Sequence, residues 1–290
     1  AYLEVKYYSQ KTVETREYNY RTFENWLIQR SITELEDITP ALIESYQKHL
    51  FRQRKKNGDP LSIGTQTMHL SALKVIFLWL QKKDVVTKNP TIHLEMPKVS
   101  KRLPRKGLNE DELKKLRAIP DLKSNLGYRD RCIIELMLAT GIRRAECCNL
   151  TIEDLDLDEK TAHVIEGKGK KDRMVVFDDD AKKWLTRYLK QIRPELENLK
   201  SGRYVFLSYR GNPIDPETMG QHMKTLFRKA DIEKEGCCHL LRHTFAVRLM
   251  EGGADSRIIQ ELLGHESLNT TARYTQLDVR QIRKVYDECF

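Results

Sequence analysis

Apolar residues recur at helical spacing through the first ninety residues of the chain. Val13, Tyr20, Phe23 and Leu27 fall on one face of a helix over 12–30, with Trp26 beside them. Thr39 followed by Pro40 reads as an N-cap and first helical position, and Leu42, Ile43, Tyr46 and Leu50 extend the apolar stripe. After the turn Asn57-Gly58-Asp59-Pro60, a third helix is expected over 62–83, with Met68, Leu73, Ile76, Phe77 and Leu80 inward and Asn89-Pro90 beyond its end. This pattern predicts a small all-helical domain over 1–96.

The pattern lapses at Pro97-Lys98-Val99-Ser100-Lys101-Arg102-Leu103-Pro104-Arg105-Lys106-Gly107. Two prolines oppose helix and little there can be buried, so 97–107 is expected to link two domains. Its basic residues suit a strand tracking DNA phosphates. Order resumes over 108–290. Asn109 caps a helix whose first turn holds Glu110, Asp111 and Glu112, where carboxylates complement the helix dipole. Ile133, Ile134, Met137 and Leu138 mark the buried side of a helix over 127–139, broken by Thr140-Gly141, and a further helix carries Arg143, Glu146 and Leu150. The period then changes. Residues 161–165 and 174–177 read as short strands around Gly167-Lys168-Gly169-Lys170-Lys171-Asp172-Arg173, a hairpin with a basic, glycine-containing tip. Helix is expected again over 181–192, a third strand over 204–207, and helix from Pro216 onward with turns at Gly236 and Gly264. Val279, Ile282, Val285 and Tyr286 give the segment 277–290 an apolar helical face, suited to its own domain or to a neighbouring molecule. The fold class is therefore mainly α with a small β-sheet, in two domains.

Charge narrows the partner. The 290 residues hold 51 Lys and Arg against 42 Asp and Glu, a net charge of +9, which favours a polyanion, nucleic acid ahead of an anionic membrane. Six cysteines, four of them in the adjacent pairs Cys147-Cys148 and Cys237-Cys238, do not make a disulfide framework and suit a reducing cytoplasm. No apolar run is long enough to span a bilayer, and no secretory signal opens the sequence. It begins at Ala1 rather than Met, as a trimmed or partial chain would.

The second domain offers several groups suited to a phosphate. Glu146 lies one helical turn from Arg143, close enough to orient its guanidinium. Lys168 sits at the hairpin tip. His239 and Arg242 share a helix face. His239 and His243, four apart, raise a zinc reading, but Leu240 stands where a metalloprotease pattern has Glu, and adjacent cysteines lack zinc-site spacing. No metal is expected. Gly264 should end a helix and present His265 in a turn. Tyr274 stands among Thr270, Thr271, Arg273 and Thr275, which make poor core.

These motifs, in this order, resemble the tyrosine recombinase (phage integrase) family from about Asn109 to the end. Thr140-Gly141-Ile142-Arg143-Arg144-Ala145-Glu146 resembles its first-arginine motif and Gly167-Lys168-Gly169 its lysine hairpin. His239-Leu240-Leu241-Arg242-His243-Thr244-Phe245-Ala246 resembles its His-x-x-Arg motif. Leu262-Leu263-Gly264-His265, with Tyr274 nine residues beyond, resembles the closing motif and its nucleophile. The helical first domain is similar to the family's core-binding domain. Cys238 stands where proline is common, and Cys147-Cys148 replaces more usual aliphatics.

The resemblance implies a two-domain clamp around double-stranded DNA, with a helical core-binding domain and an α+β catalytic domain. It implies that Tyr274 attacks a phosphodiester, forming a 3′-phosphotyrosyl link as a 5′-hydroxyl leaves. Arg143, Arg242 and His265 would hold the phosphate and Lys168 would act as general acid. His239 would accept the tyrosine proton or orient the phosphate, and Glu146 would fix Arg143. No cofactor is implied. Lys98, Lys101, Arg102 and Arg105 of the linker and Lys171 and Arg173 of the hairpin are expected on DNA. The family assembles as tetramers on two DNA sites, commonly with the C-terminal segment docked on a neighbour, and the build suits an Xer-like or mobile-element recombinase of the cytoplasmic nucleoid. A type IB topoisomerase-like relaxing enzyme and a non-catalytic DNA-binding regulator are the alternative readings. Since phosphate contacts release counterions, DNA affinity is expected to fall steeply with salt in a filter-binding titration. Salt-insensitive binding would sink the basic-clamp reading.

Overall fold

A computed structural model of the chain describes residues 10–98, 107–165, 172–234, 236–264 and 279–289. It separates into two compact units, Ala1–Leu103 and Pro104–Phe290. Among the described residues no helix is long and apolar enough to cross a membrane.

The first unit is helical: α1 (Gln10–Ile28), α2 (Pro40–Arg52) and α3 (Ile63–Lys82). Both later helices start at side-chain caps. Thr39 accepts from the Leu42 N–H and Ser62 from the Thr65 N–H. Phe23, Trp26, Ile43, Tyr46, Leu50, Leu73 and Phe77 form the core. Tyr46 stands edge-on to Phe23 and Trp26, with ring centroids 4.8 and 5.1 Å apart, the arrangement the ring quadrupoles favour. Met68 is not inward as its hydrophobicity suggests; it is 52% exposed. Nine residues at about 100° each place it opposite Phe77 on the helical wheel, and Gln66, His69 and Leu70 are buried instead.

The second unit is built around a helix buried on nearly every side. It comprises α4 (Glu110–Ala118), α5 (Asn125–Thr140) and α6 (Arg144–Asn149), then the strands β1 (Leu155–Asp156), β2 (Thr161–Val164) and β3 (Arg173–Val176). Helices α7 (Asp179–Arg187), α8 (Arg193–Leu196), α9 (Pro216–Lys229), α10 (Cys237–Glu251), α11 (Ser256–Leu263) and α12 (Val279–Cys289) follow. Helix α5 is the buried one: residues 127–130 and 132–140 are all inside, so α4, α7, α10 and the sheet can surround it. A reciprocal Asn109–Glu112 capping box starts α4.

The sheet is antiparallel in the order β1-β2-β3, and the β2–β3 register pairs Thr161 with Val176 and Val164 with Arg173. Its third strand is β1. The segment 204–207 makes only single bridges, Tyr204 to Thr151 and Leu207 to Pro213. Val205, Phe206 and Leu207 are all fully buried and fill the core, and bridging to two different segments leaves them without a continuous ladder. The helix expected over 181–192 begins earlier, where Asp178 accepts from the Ala181 N–H. It also runs further. The turn Tyr188–Ile192 is a wider π turn in which the Arg193 N–H bonds Tyr188 five residues back, and helix then continues through Pro194, which has no N–H to give a regular ladder.

The C-terminal helix α12 lies on its own unit. Ile282 and Tyr286 pack with Val176, Phe245, Leu249, Ile259 and Leu262. Arg283 donates to the carbonyls of Phe177, Glu159 and Lys160, at 2.8, 2.7 and 2.6 Å. Tyr286 is 1% exposed. Tyr286→Ala should therefore cost roughly 3–5 kcal/mol in a urea melt of the isolated protein. A loss below about 1 kcal/mol would mean that the helix spends little time on this face.

Candidate active site

The site begins where α5 ends. Gly141 closes that helix at φ 61°, its N–H bonded to the Met137 carbonyl. A side chain there would strike the Phe245 ring on α10, so glycine answers both the left-handed backbone and the close approach. Two residues on, Arg143 stands extended at the N-cap of α6. Glu146 reaches back to it twice. Oε2 accepts the Arg143 backbone N–H at 2.7 Å and Oε1 accepts its Nη1 at 2.6 Å.

Arg242 enters from the first half of α10 and is 8% exposed. Its Nη1 donates to the Gly141 carbonyl at 2.6 Å and its Nη2 to the Leu263 carbonyl. Arg143 Nη2 donates to the Gly264 carbonyl at 2.5 Å. Arg173, first residue of β3, donates through Nε to the Leu262 carbonyl at 2.9 Å and through Nη1 and Nη2 to the two Glu146 oxygens, at 3.2 and 2.8 Å. Three consecutive carbonyls at the end of α11 thus each receive a different arginine. A helix C-terminus leaves its last carbonyls without backbone donors and carries partial negative charge, so it can gather guanidinium groups from segments far apart in the chain.

Among the described residues, three guanidiniums against one carboxylate give this cluster two net positive charges. Burial by itself would push the Glu146 carboxyl up. The hydrogen bond and charge of Arg173, and then the bonds from Arg143, outweigh it and hold Glu146 below the usual glutamate range. It therefore stays ionised beside the arginines.

Of the residues singled out in the sequence, Arg143, Glu146 and Arg242 meet here. His239 lies one turn before Arg242 on α10 and is exposed. Lys98 is exposed in the first unit. Lys168, His265, Tyr274, Lys101, Arg102, Arg105 and Lys171 lie outside the described residues. Arg173 departs from the expectation that it contacts DNA. Its side chain is 8% exposed, turned inward because a buried carboxylate and an unpaired helix carbonyl both need its donors.

One surface was not foreseen. A trough of about 1000 Å³ beside His239 is lined by Arg144, Lys224 and Arg228 among others. Gly220 makes room for it, since a side chain there would collide with the Arg144 guanidinium. The sequence does carry a signal: Lys224 and Arg228 are four apart on α9, opposite the buried Met219, Met223 and Phe227.

Comparison with known proteins identifies the family. Residues 106–281 match the Phage integrase family and residues 1–87 the Phage integrase, N-terminal SAM-like domain. The chain is 40% identical over 280 residues to tyrosine recombinase XerC 2 of Ralstonia nicotianae, covering 97% of this chain and 80% of that protein. It is 33% identical to tyrosine recombinase XerD of Staphylococcus aureus, covering 97% and 92%. In fold it is similar to the XerH site-specific recombinase solved in a post-cleavage complex with its difH substrate, with TM-score 0.70, 24% identity and 94% and 78% coverage. The chain belongs to the phage integrase family of tyrosine recombinases. It is a site-specific recombinase, an enzyme that cuts and rejoins DNA through a covalent tyrosyl intermediate.

The Glu146 environment sets a pH dependence. Its folded-state pKa is depressed, so its contribution to stability is present above the ordinary glutamate value of 4.5 and is lost as pH falls below it. Denaturant melts of wild type and Glu146→Gln should differ by on the order of 3 kcal/mol near neutrality, and the difference should shrink in acid. A gap that is constant down to pH 3 would count against an ionised Glu146.

Proposed function

We propose that Arg143 and Arg242 seat the scissile phosphate of a double-stranded recombination site and that Tyr274 is the nucleophile. The observation that supports this most is the meeting of the two arginines at the end of α11, in a cluster of net positive charge one residue before His265. Each guanidinium has a planar fork of donors suited to non-bridging phosphate oxygens. The pentacovalent transition state carries more negative charge there than the ground state, so fixed positive groups lower the barrier.

In the cleavage step the Tyr274 Oη–phosphorus bond forms as the phosphorus–O5′ bond breaks. His239 takes the tyrosine proton and Lys168 gives one to the leaving 5′-oxygen, while His265 adds a hydrogen bond to the phosphate. The phosphoryl group stays bonded throughout, so rejoining to a partner strand needs no ATP. Two arginines, a lysine and histidines supply the positive charge, and turnover without metal or cofactor is expected.

The basic linker over 97–107, Lys98 included, and the Arg144–Lys224–Arg228 face are the candidate DNA contacts. Recombination joins two sites, so the working assembly is a tetramer of this chain acting on the nucleoid. Docking of α12 on a neighbour would require Ile282 and Tyr286 to leave the Phe245–Leu249 face.

Tyr274→Phe should abolish covalent protein–DNA complexes on a nicked suicide substrate and leave site binding within about 3-fold, a ratio corresponding to under 1 kcal/mol. Persistence of the adduct in that variant would show that another group is the nucleophile. Relaxation of supercoils without any exchange between paired sites would instead favour the topoisomerase-like reading.

A further inference from the structure

We propose that Arg173 is a positioning residue for strand transfer. By pairing with Glu146 and with the end of α11, it keeps Arg143 oriented and offsets the carboxylate charge beside it, so that the group presents net positive charge to the phosphate. The inference rests on the assignment of Arg143 to that phosphate.

Arg173 is too deeply placed to act on DNA from the surface. Its side chain is 8% exposed and uses Nε, Nη1 and Nη2 on the Leu262 carbonyl and both Glu146 oxygens. Glu146 is itself 9% exposed, and its two oxygens accept four donors: the Arg143 N–H and Nη1, and Nη1 and Nη2 of Arg173. The carboxylate that orients Arg143 also opposes its charge. With Glu146 facing Arg143 alone, the pair would be neutral and would offer an incoming phosphate little net attraction. The second guanidinium restores one positive charge to the group while leaving the orienting bonds in place. The same side chain holds Leu262 O, adjacent in sequence to the Leu263 and Gly264 carbonyls that receive Arg242 and Arg143. It therefore sets two things at once: the charge that Arg143 presents, and the position of the helix end on which both phosphate arginines rest.

Arginine is required for this by geometry. A lysine ammonium could reach the carboxylate or the carbonyl, but it lacks the fixed fork that meets both oxygens while Nε takes a third acceptor. Arg173 also opens β3, opposite Val164, so the pairing ties the sheet to α6 and α11 at the site.

The test compares cleavage by the full chain on suicide substrates carrying either the normal phosphodiester or a methylphosphonate at the scissile position. The methylphosphonate lacks one anionic oxygen and depends less on guanidinium charge. Arg173→Met should slow covalent adduct formation by about 100-fold on the phosphodiester, the scale of a small misplacement of a catalytic group. On the methylphosphonate the deficit should shrink below about 10-fold, and site affinity should stay within about 3-fold of wild type, under 1 kcal/mol. Arg173→Lys should recover part of the rate, and it carries the same comparison if the Met variant melts below the assay temperature. Arg143→Met is the control. If Arg143→Met is relieved by the methylphosphonate and Arg173→Met is not, the inference is overturned while the phosphate assignment stands. If neither is relieved, the phosphate assignment fails and the inference with it. An unchanged rate in Arg173→Met, or a loss of affinity with a flatter salt dependence, would also overturn the inference, the second by making Arg173 a direct DNA contact.

Discussion

The C-terminus of α11 is the point to which the second unit is drawn. A helix end presents carbonyls that no backbone N–H of its own can satisfy, and those carbonyls lie at the negative end of the helix dipole. Here Leu262, Leu263 and Gly264 each receive a guanidinium, from β3, α10 and the α5–α6 junction respectively. Three segments far apart in the chain are thereby registered against one another to within hydrogen-bond tolerance. Glu146 completes the lattice by accepting from two of the three arginines. The arrangement satisfies buried polar groups and leaves net positive charge in one step, so the same bonds that stabilise the fold prepare it for an anion.

The rigidity behind that registration comes from apolar packing. Helix α5 is enclosed on nearly all sides, and Phe245 of α10 closes over Gly141 at its end. Cys147, Cys148 and Cys238 are buried within this core. Burial pushes their thiols up, Cys148 to about 12 and Cys238 to about 11, so they act as small apolar side chains.

The helices were legible wherever an apolar stripe and a capping residue agreed, as at Thr39, Asn109, Gly141 and Gly264. The errors share a cause. Met68 looked inward because its side chain is apolar, yet its angular position sets it opposite Phe77. The run 204–207 looks like a strand because it is β-branched and aromatic, yet Tyr204 and Leu207 bridge two different segments, at Thr151 and Pro213, so no ladder forms. The helix expected over 181–192 runs on to Leu196 through a π turn, which a local rule does not anticipate. Arg173 looked like a DNA contact because its neighbours in the hairpin are basic; its inward turn depends on Glu146 and Leu262, which are distant in sequence. The basic face of α9 was present in the four-residue spacing of Lys224 and Arg228, but nothing local sets it beside His239.

Residue chemistry and spacing by themselves determined the helical first domain, the α+β second domain and the family. They also supplied the pairing of Arg143 with Glu146, since that pair spans a single helical turn. Tertiary structure alone decided which carbonyls receive the three arginines, that Glu146 serves two of them, and that α12 rests on its own unit. The reason is physical. One-turn contacts follow from helical geometry, whereas a buried charge finds its partners only when the whole core has placed them, and the energy of that placement is shared among residues that no local pattern connects.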